Sequence, residues 1–131
     1  MTDPSNWADA TKHSALALAI AHAEGFGTAG AVPTRAHNPG DLKIPGWTGP
    51  VTGTEGISVF ENDATGWAAL EHELALIKAG KSHVYTLGMT IAEMAHHWTD
   101  TQTDNWATNV CDALTAAGRP ATLTTLLRDV L

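Results

Sequence analysis

The chain has 131 residues, 44% of them hydrophobic, and a formal net charge of −7 with the histidines neutral. That suits one domain, residues 1–131, around one core, and the seven Lys and Arg residues form no basic stripe of the kind nucleic acid requires. A lone cysteine, Cys111, excludes an internal disulfide, and no run approaches the ~18 apolar residues of a membrane span.

In chain order, residues 11–24 read as a helix. Leu16, Ile20 and Ala23 lie on one face, the alanines allow close packing, and Gly25 and Gly27 end it. From residue 26 to 60 the density of glycine and proline excludes long helices. Asn38-Pro39-Gly40 is a turn signal. Residues 41–44 and 57–60 read as short strands, with a weaker one near Val51, making a small sheet or hairpin.

Beyond residue 65 the pattern turns helical. GWAALEHELALIKAG carries an apolar stripe of Trp67, Leu70, Leu74 and Ile77, with Asp63 or Thr65 as its cap and Gly80 at its end. TIAEMAHHW fits a capping box, Thr90 with Glu93. DNWATNVCDALTAAG places Trp106, Val110 and Leu114 on one face, starting after Asp104 and stopping at Gly118; TLTTLLRDVL reads as a short closing helix. The class is α+β, mostly α, with a small β region after the first main helix and a larger helical lobe.

Two carboxylates stand out. Glu24 closes a helix whose neighbours are alanines and Ile20, and Phe26 follows. Apolar surroundings and the negative end of the helix dipole both favour its neutral form, making it a proton donor near neutral pH; a solvated helix end is the plain alternative. Asp41 follows the turn. It is either a second, ionised carboxylate or a turn residue bonding its own backbone. Glu55 and Glu61 are poorer second carboxylates.

The other polar and aromatic residues are read more briefly. His22 points to a different side of the helix from Glu24, His37 borders the turn where it could tune Glu24, and adjacent His96 and His97 cannot share a metal. No cofactor or metal is expected. Trp47, in Pro-Gly-Trp-Thr-Gly, is the tryptophan least needed by a core; Trp98 ends a helix before a loop, as a core residue or an exposed stacking ring; Tyr85 reads as able to reach a cleft; Trp67 and Trp106 as core. Ser14 lacks the His and Asp pattern of a serine hydrolase.

Five segments in order, AIAHAEGFG, RAHNPGDLK, VFENDATGWAALEHEL, MTIAEMAHHWT and DNWATNV, resemble a lysozyme-like family of phage and bacterial peptidoglycan-cleaving domains. The resemblance covers residues 19–110. It implies a lysozyme-like fold and cleavage of the β-1,4 bond between N-acetylmuramic acid and N-acetylglucosamine. Glu24 matches the catalytic acid, and Asn38, Pro39 and Gly40 match the turn beside it. His37, Asn38, Gly40, Phe60 and the aromatic residues Trp47, Tyr85 and Trp98 are then the expected substrate contacts, with Asp41 as the second catalytic residue.

The chain departs from the family pattern twice: His37-Asn38 stands where two asparagines are usual, and Asp41 where the turn usually ends in asparagine. The implied partner is the glycan strand of peptidoglycan, met by a monomer without nucleic acid or membrane. The N-terminal residues carry no signal-peptide pattern. A protein made soluble in the cytoplasm would therefore reach the wall by holin release, secretion or phage delivery. Two products are open, a reducing end from hydrolysis or an anhydro ring from a single-glutamate lytic transglycosylase. A non-catalytic glycan-binding or phage structural module on the same fold is the alternative.

Overall fold

Helix α1, Ala15–Glu24, starts where Ser14 takes an extended backbone and its hydroxyl accepts the Ala17 N–H. In this computed structural model, which describes residues 13–43 and 56–131, the helix therefore begins later than the alanine-rich run from residue 11 suggests. Glu71 fixes that start from another helix, accepting both the Ser14 N–H and its hydroxyl at 3.0 and 2.9 Å. Gly25, at φ 79°, ends α1 and returns its N–H to Ala21 and His22. Only glycine takes that backbone readily, so the position of Glu24 at the helix end is set by its neighbour.

A short α2, Val32–Arg35, lies in the glycine-rich stretch. Then come α3, Asp63–Lys78, α4, Ile91–Trp98, and α5, Thr103–Ala116. Helix α1 packs on α5 and touches α3, while α4 packs on α5. Leu16, Ala17, Ala19 and Ile20 of α1 have no exposed surface and meet Leu70, Leu74, Ile77, Ile91, Met94, Val110 and Leu114. The alanines put the α1 backbone close to its neighbours, which carries Glu24 inward.

The caps differ in part from expectation. The cap of α3 is Asn62, whose Oδ1 accepts from the Thr65 N–H and hydroxyl at 2.8 and 2.9 Å, not Asp63 or Thr65. The capping box of Thr90 and Glu93 forms in both directions. Gly80 and Gly118 follow α3 and α5 in the left-handed conformation.

The described residues contain isolated bridges but no β-strand, so residues 41–43 and 57–60 do not form the strands expected of them. Residues 41–43 and 57–60 are joined instead by Asn38, which has no exposed surface. Its Nδ2 donates to the carbonyls of Leu42 and Ser58, and its Oδ1 accepts the Leu42 N–H, each at 2.9 Å. These bonds take up backbone groups that a partner strand would otherwise satisfy, and one Ser58 N–H to Leu42 bond of 2.9 Å completes the junction. Residue 44 and the strand expected near Val51 lie outside the described residues.

The closing helix is corrected too. Leu126 bridges antiparallel to Thr90, Leu127 donates to Met89, and only Leu127–Asp129 turns, as a 3-10 helix. Backbone groups committed to residues 87–91 cannot also close helical turns. The chain is thus mostly helical, and no helix among the described residues is long and apolar enough to cross a membrane.

Candidate active site

Glu24 is the last residue of α1, and Asp41 belongs to the turn that follows α2. The Asn38 clamp and a 3.0 Å bond from the Asp41 N–H to the Asn38 carbonyl curl the turn, leaving Asp41 at φ 52°. Aspartate is among the few residues that tolerate this left-handed conformation. Gly40 lets the turn pack on α3, because a Cβ there would sit 2.8 Å from Leu70 Cδ1. The two carboxyls end within hydrogen-bonding reach of each other.

Burial pushes Glu24 up to about 8, and the negative charge of Asp41 adds to it; a hydrogen bond from Trp106 and the Lys43 ammonium oppose the rise. Asp41 is also raised by burial, but Lys43 and the bond to Glu24 pull it back. The bond between the carboxyls therefore favours the proton on Glu24 and the charge on Asp41. The pair then holds one proton and one negative charge. Asp41 is half-buried, and its Oδ1 has no hydrogen-bond partner, so the side chain does not bond its own turn through that oxygen.

Two indoles hold the pair. Trp106 Nε1 donates to Glu24 Oε1 at 2.9 Å, and Trp98 Nε1 donates to the Gly40 carbonyl at 2.9 Å. Their rings stack with centroids 6.1 Å apart, and Tyr85 lies 5.5 Å beyond Trp98. This aromatic row runs beside two adjoining hollows. One, of about 470 Å³, is lined by Asp41, Lys43, Glu73, Tyr85 and Trp98. The other, about 210 Å³, is lined by Glu24, Asn105, Trp106 and Asn109. Both touch Thr99 and Thr101, with Asp41 on the larger hollow and Glu24 on the smaller. Burial and the charge of Glu73 push Tyr85 up to about 12, which keeps its hydroxyl a donor. Lys43 reaches Asp100 at only 3.5 Å and both are exposed, a weak pair.

The structure thus brings together Glu24, Gly40, Asp41, Tyr85 and Trp98. It assigns other expected contacts elsewhere. The Asn38 side chain is spent inside the loop and has no surface for a substrate. His37 turns its Nδ1 to Asp63 Oδ1 at 2.7 Å, not to Glu24, because its own backbone is left-handed at φ 51°. Phe60 is 3% exposed and belongs to the core. Trp47 lies outside the described residues.

Trp106 is the residue the sequence pattern misassigned in part. It is core, at 4% exposure, and also a partner of the acid. The available signal was chemical: a nearly buried indole N–H needs an acceptor, which a phenylalanine on the same stripe would not. Among the described residues no group of three or more His, Cys, Asp or Glu could hold a metal ion. No family model matches the chain, and comparisons with curated proteins and with solved structures give no significant match.

Proposed function

We propose that the chain cleaves the glycan strands of peptidoglycan at the β-1,4 bond between N-acetylmuramic acid and N-acetylglucosamine, with Glu24 as the general acid. The observation that carries this reading is a helix-end carboxyl bonded by the Trp106 indole and lining one of two adjoining hollows, with Asp41 lining the other; burial pushes that carboxyl up to about 8. The lysozyme-like fold and the wall as target rest on the ordered segments that resemble that family. The helix-end glutamate and the helical lobe behind it agree with them.

The spacing of the pair bears on the product. Retaining and inverting glycosidases hold their carboxyls about 5–5.5 Å and about 6.5–9.5 Å apart, leaving room for a sugar carbon or a water between them. A carboxyl pair close enough for each to shift the other's proton affinity leaves less room than either spacing. That supports the single-glutamate route. The bridging oxygen leaves C1 with the bond's electron pair and takes the Glu24 proton. The 6-hydroxyl of the muramic residue then bonds to C1 and returns a proton to Glu24. Asp41 serves to keep Glu24 protonated between turnovers.

Mass spectrometry of fragments released from purified peptidoglycan tests this, using the intact chain beside Glu24→Gln. Muropeptides ending in an anhydro ring from the intact chain, and none from the variant, are expected. Fragments heavier by one water make the protein a hydrolase. Silence of the intact chain on several wall types refutes cleavage and leaves a non-catalytic glycan-binding or phage structural module.

A further inference from the structure

We infer that Trp106 is the positioning residue of the acid: its indole N–H fixes Glu24 Oε1 as an acceptor and leaves Oε2 to carry the transferable proton. The inference rests on the reading of Glu24 as a general acid, and deepens it. An indole nitrogen donates and never accepts, so the 2.9 Å bond to Oε1 has one polarity. The carbonyl oxygen of a neutral carboxyl accepts better than its hydroxyl oxygen, so this bond favours Oε1 as the carbonyl. The neutral carboxyl therefore carries its proton on Oε2, the oxygen left for Asp41 at rest and for the bridging oxygen during cleavage.

The surroundings make this a fixed arrangement. Trp106 is 4% exposed and stacked on Trp98, so its ring cannot turn away without opening the α4–α5 contact. The bond joins residues 82 positions apart, from the end of α1 to the first turn of α5. The charged groups acting on Glu24 are Asp41 and Lys43, both from the turn following α2. From α5 and the residue before it, Gln102, Asn105 and Asn109 line the same hollow without charge. His22, on α1 itself, is exposed. When the proton leaves, the N–H stabilises the carboxylate on Oε1, so the acid is both aimed and eased. When the incoming hydroxyl gives its proton back, Oε2 is again the free oxygen.

The test replaces the indole of Trp106 with benzothiophene, through β-(3-benzothienyl)alanine, which keeps the shape and removes the N–H. The Glu24 carboxyl is titrated by carbon NMR in both proteins, and the alkaline limb of kcat/KM on peptidoglycan is recorded. Loss of a donor to the charged form should move both up by about one pH unit, with a fall in kcat and little change in KM. Unmoved titration and an unmoved limb overturn the inference.

In case the variant does not fold, the intact protein supplies a second reading. The Trp106 indole nitrogen signal should shift with a midpoint near the Glu24 value of about 8, and Glu24→Gln should abolish that shift. An indole signal that stays still through this range overturns the inference as well. Whether the parent cleaves peptidoglycan is read separately. A parent that cleaves nothing sinks the proposed function, and the carboxyl titration still decides the role of Trp106.

Discussion

Glu24→Gln should make the protein more stable, and increasingly so as the pH rises. The amide has the size of the carboxyl, its oxygen accepts from Trp106, and its NH2 donates to Asp41, so the contacts of the neutral acid survive. What changes is the cost of ionisation. Glu24 titrates at about 8 in the folded protein against an ordinary value of 4.5. The folded value is the higher one, so the folded state holds a proton that the unfolded chain releases. The stabilisation is fully present below pH 4.5 and is lost as pH rises through about 8.

At ~1.4 kcal/mol per pH unit that gap is worth about 3 to 5 kcal/mol at pH 9. For a domain of this size, at ~4 °C per kcal/mol, the variant should melt about 10 to 20 °C above the parent at pH 9 and within a few degrees of it at pH 4.5. Calorimetric or circular-dichroism melts from pH 4.5 to 9 measure it. A difference that stays constant across the range would mean that Glu24 is not held protonated by its site, and the acid assignment would fall with it.

Asp41→Asn keeps a residue that tolerates the left-handed backbone but removes the negative charge beside Glu24. The alkaline limb of activity should move down by about one pH unit with much of the rate kept; a loss of more than ~10³-fold with an unmoved limb would make Asp41 a nucleophile instead. Gly66→Ala adds a Cβ that runs into the His37 carbonyl and lies 2.9 Å from Pro39 Cδ. The clash should outweigh the better helix propensity and destabilise by about 2 kcal/mol in urea unfolding, and an unchanged or higher midpoint would refute it. Asn38→Ala strips three buried bonds and should cost about 3 kcal/mol, with faster hydrogen exchange at the Leu42 amide. Unaltered exchange there would show that the clamp is not what holds the turn.

The helices were legible where a local rule fixes them. Gly25 after Glu24, the Thr90 and Glu93 box, and the Leu70, Leu74, Ile77 stripe each act within a turn or two of chain. The acid was legible for the same reason, since apolar neighbours and a helix end are written beside it. Asn38 was not. A turn signal does not say that the asparagine side chain will bond backbone on both sides of a longer excursion, and so residues 41–44 and 57–60 read as strands. The His37 bond to Asp63 and the Trp106 bond to Glu24 join residues 26 and 82 positions apart. Periodicity gives the face on which a ring lies, but not the acceptor that its single polar atom meets. The last residues misled because their backbone partners, residues 87–91, come from a distant stretch.

The Asn38 fastening also separates what can vary from what cannot. By gripping Leu42 and Ser58 at once, it closes the stretch between them on itself, upstream of α3. A doubling of that stretch changes closure entropy by only about 0.6 kcal/mol. Insertions there would leave α1, α5 and the carboxyl pair where they are. The length of chain between the two gripped residues and the placing of Glu24 are then independent variables, one free to drift and the other not.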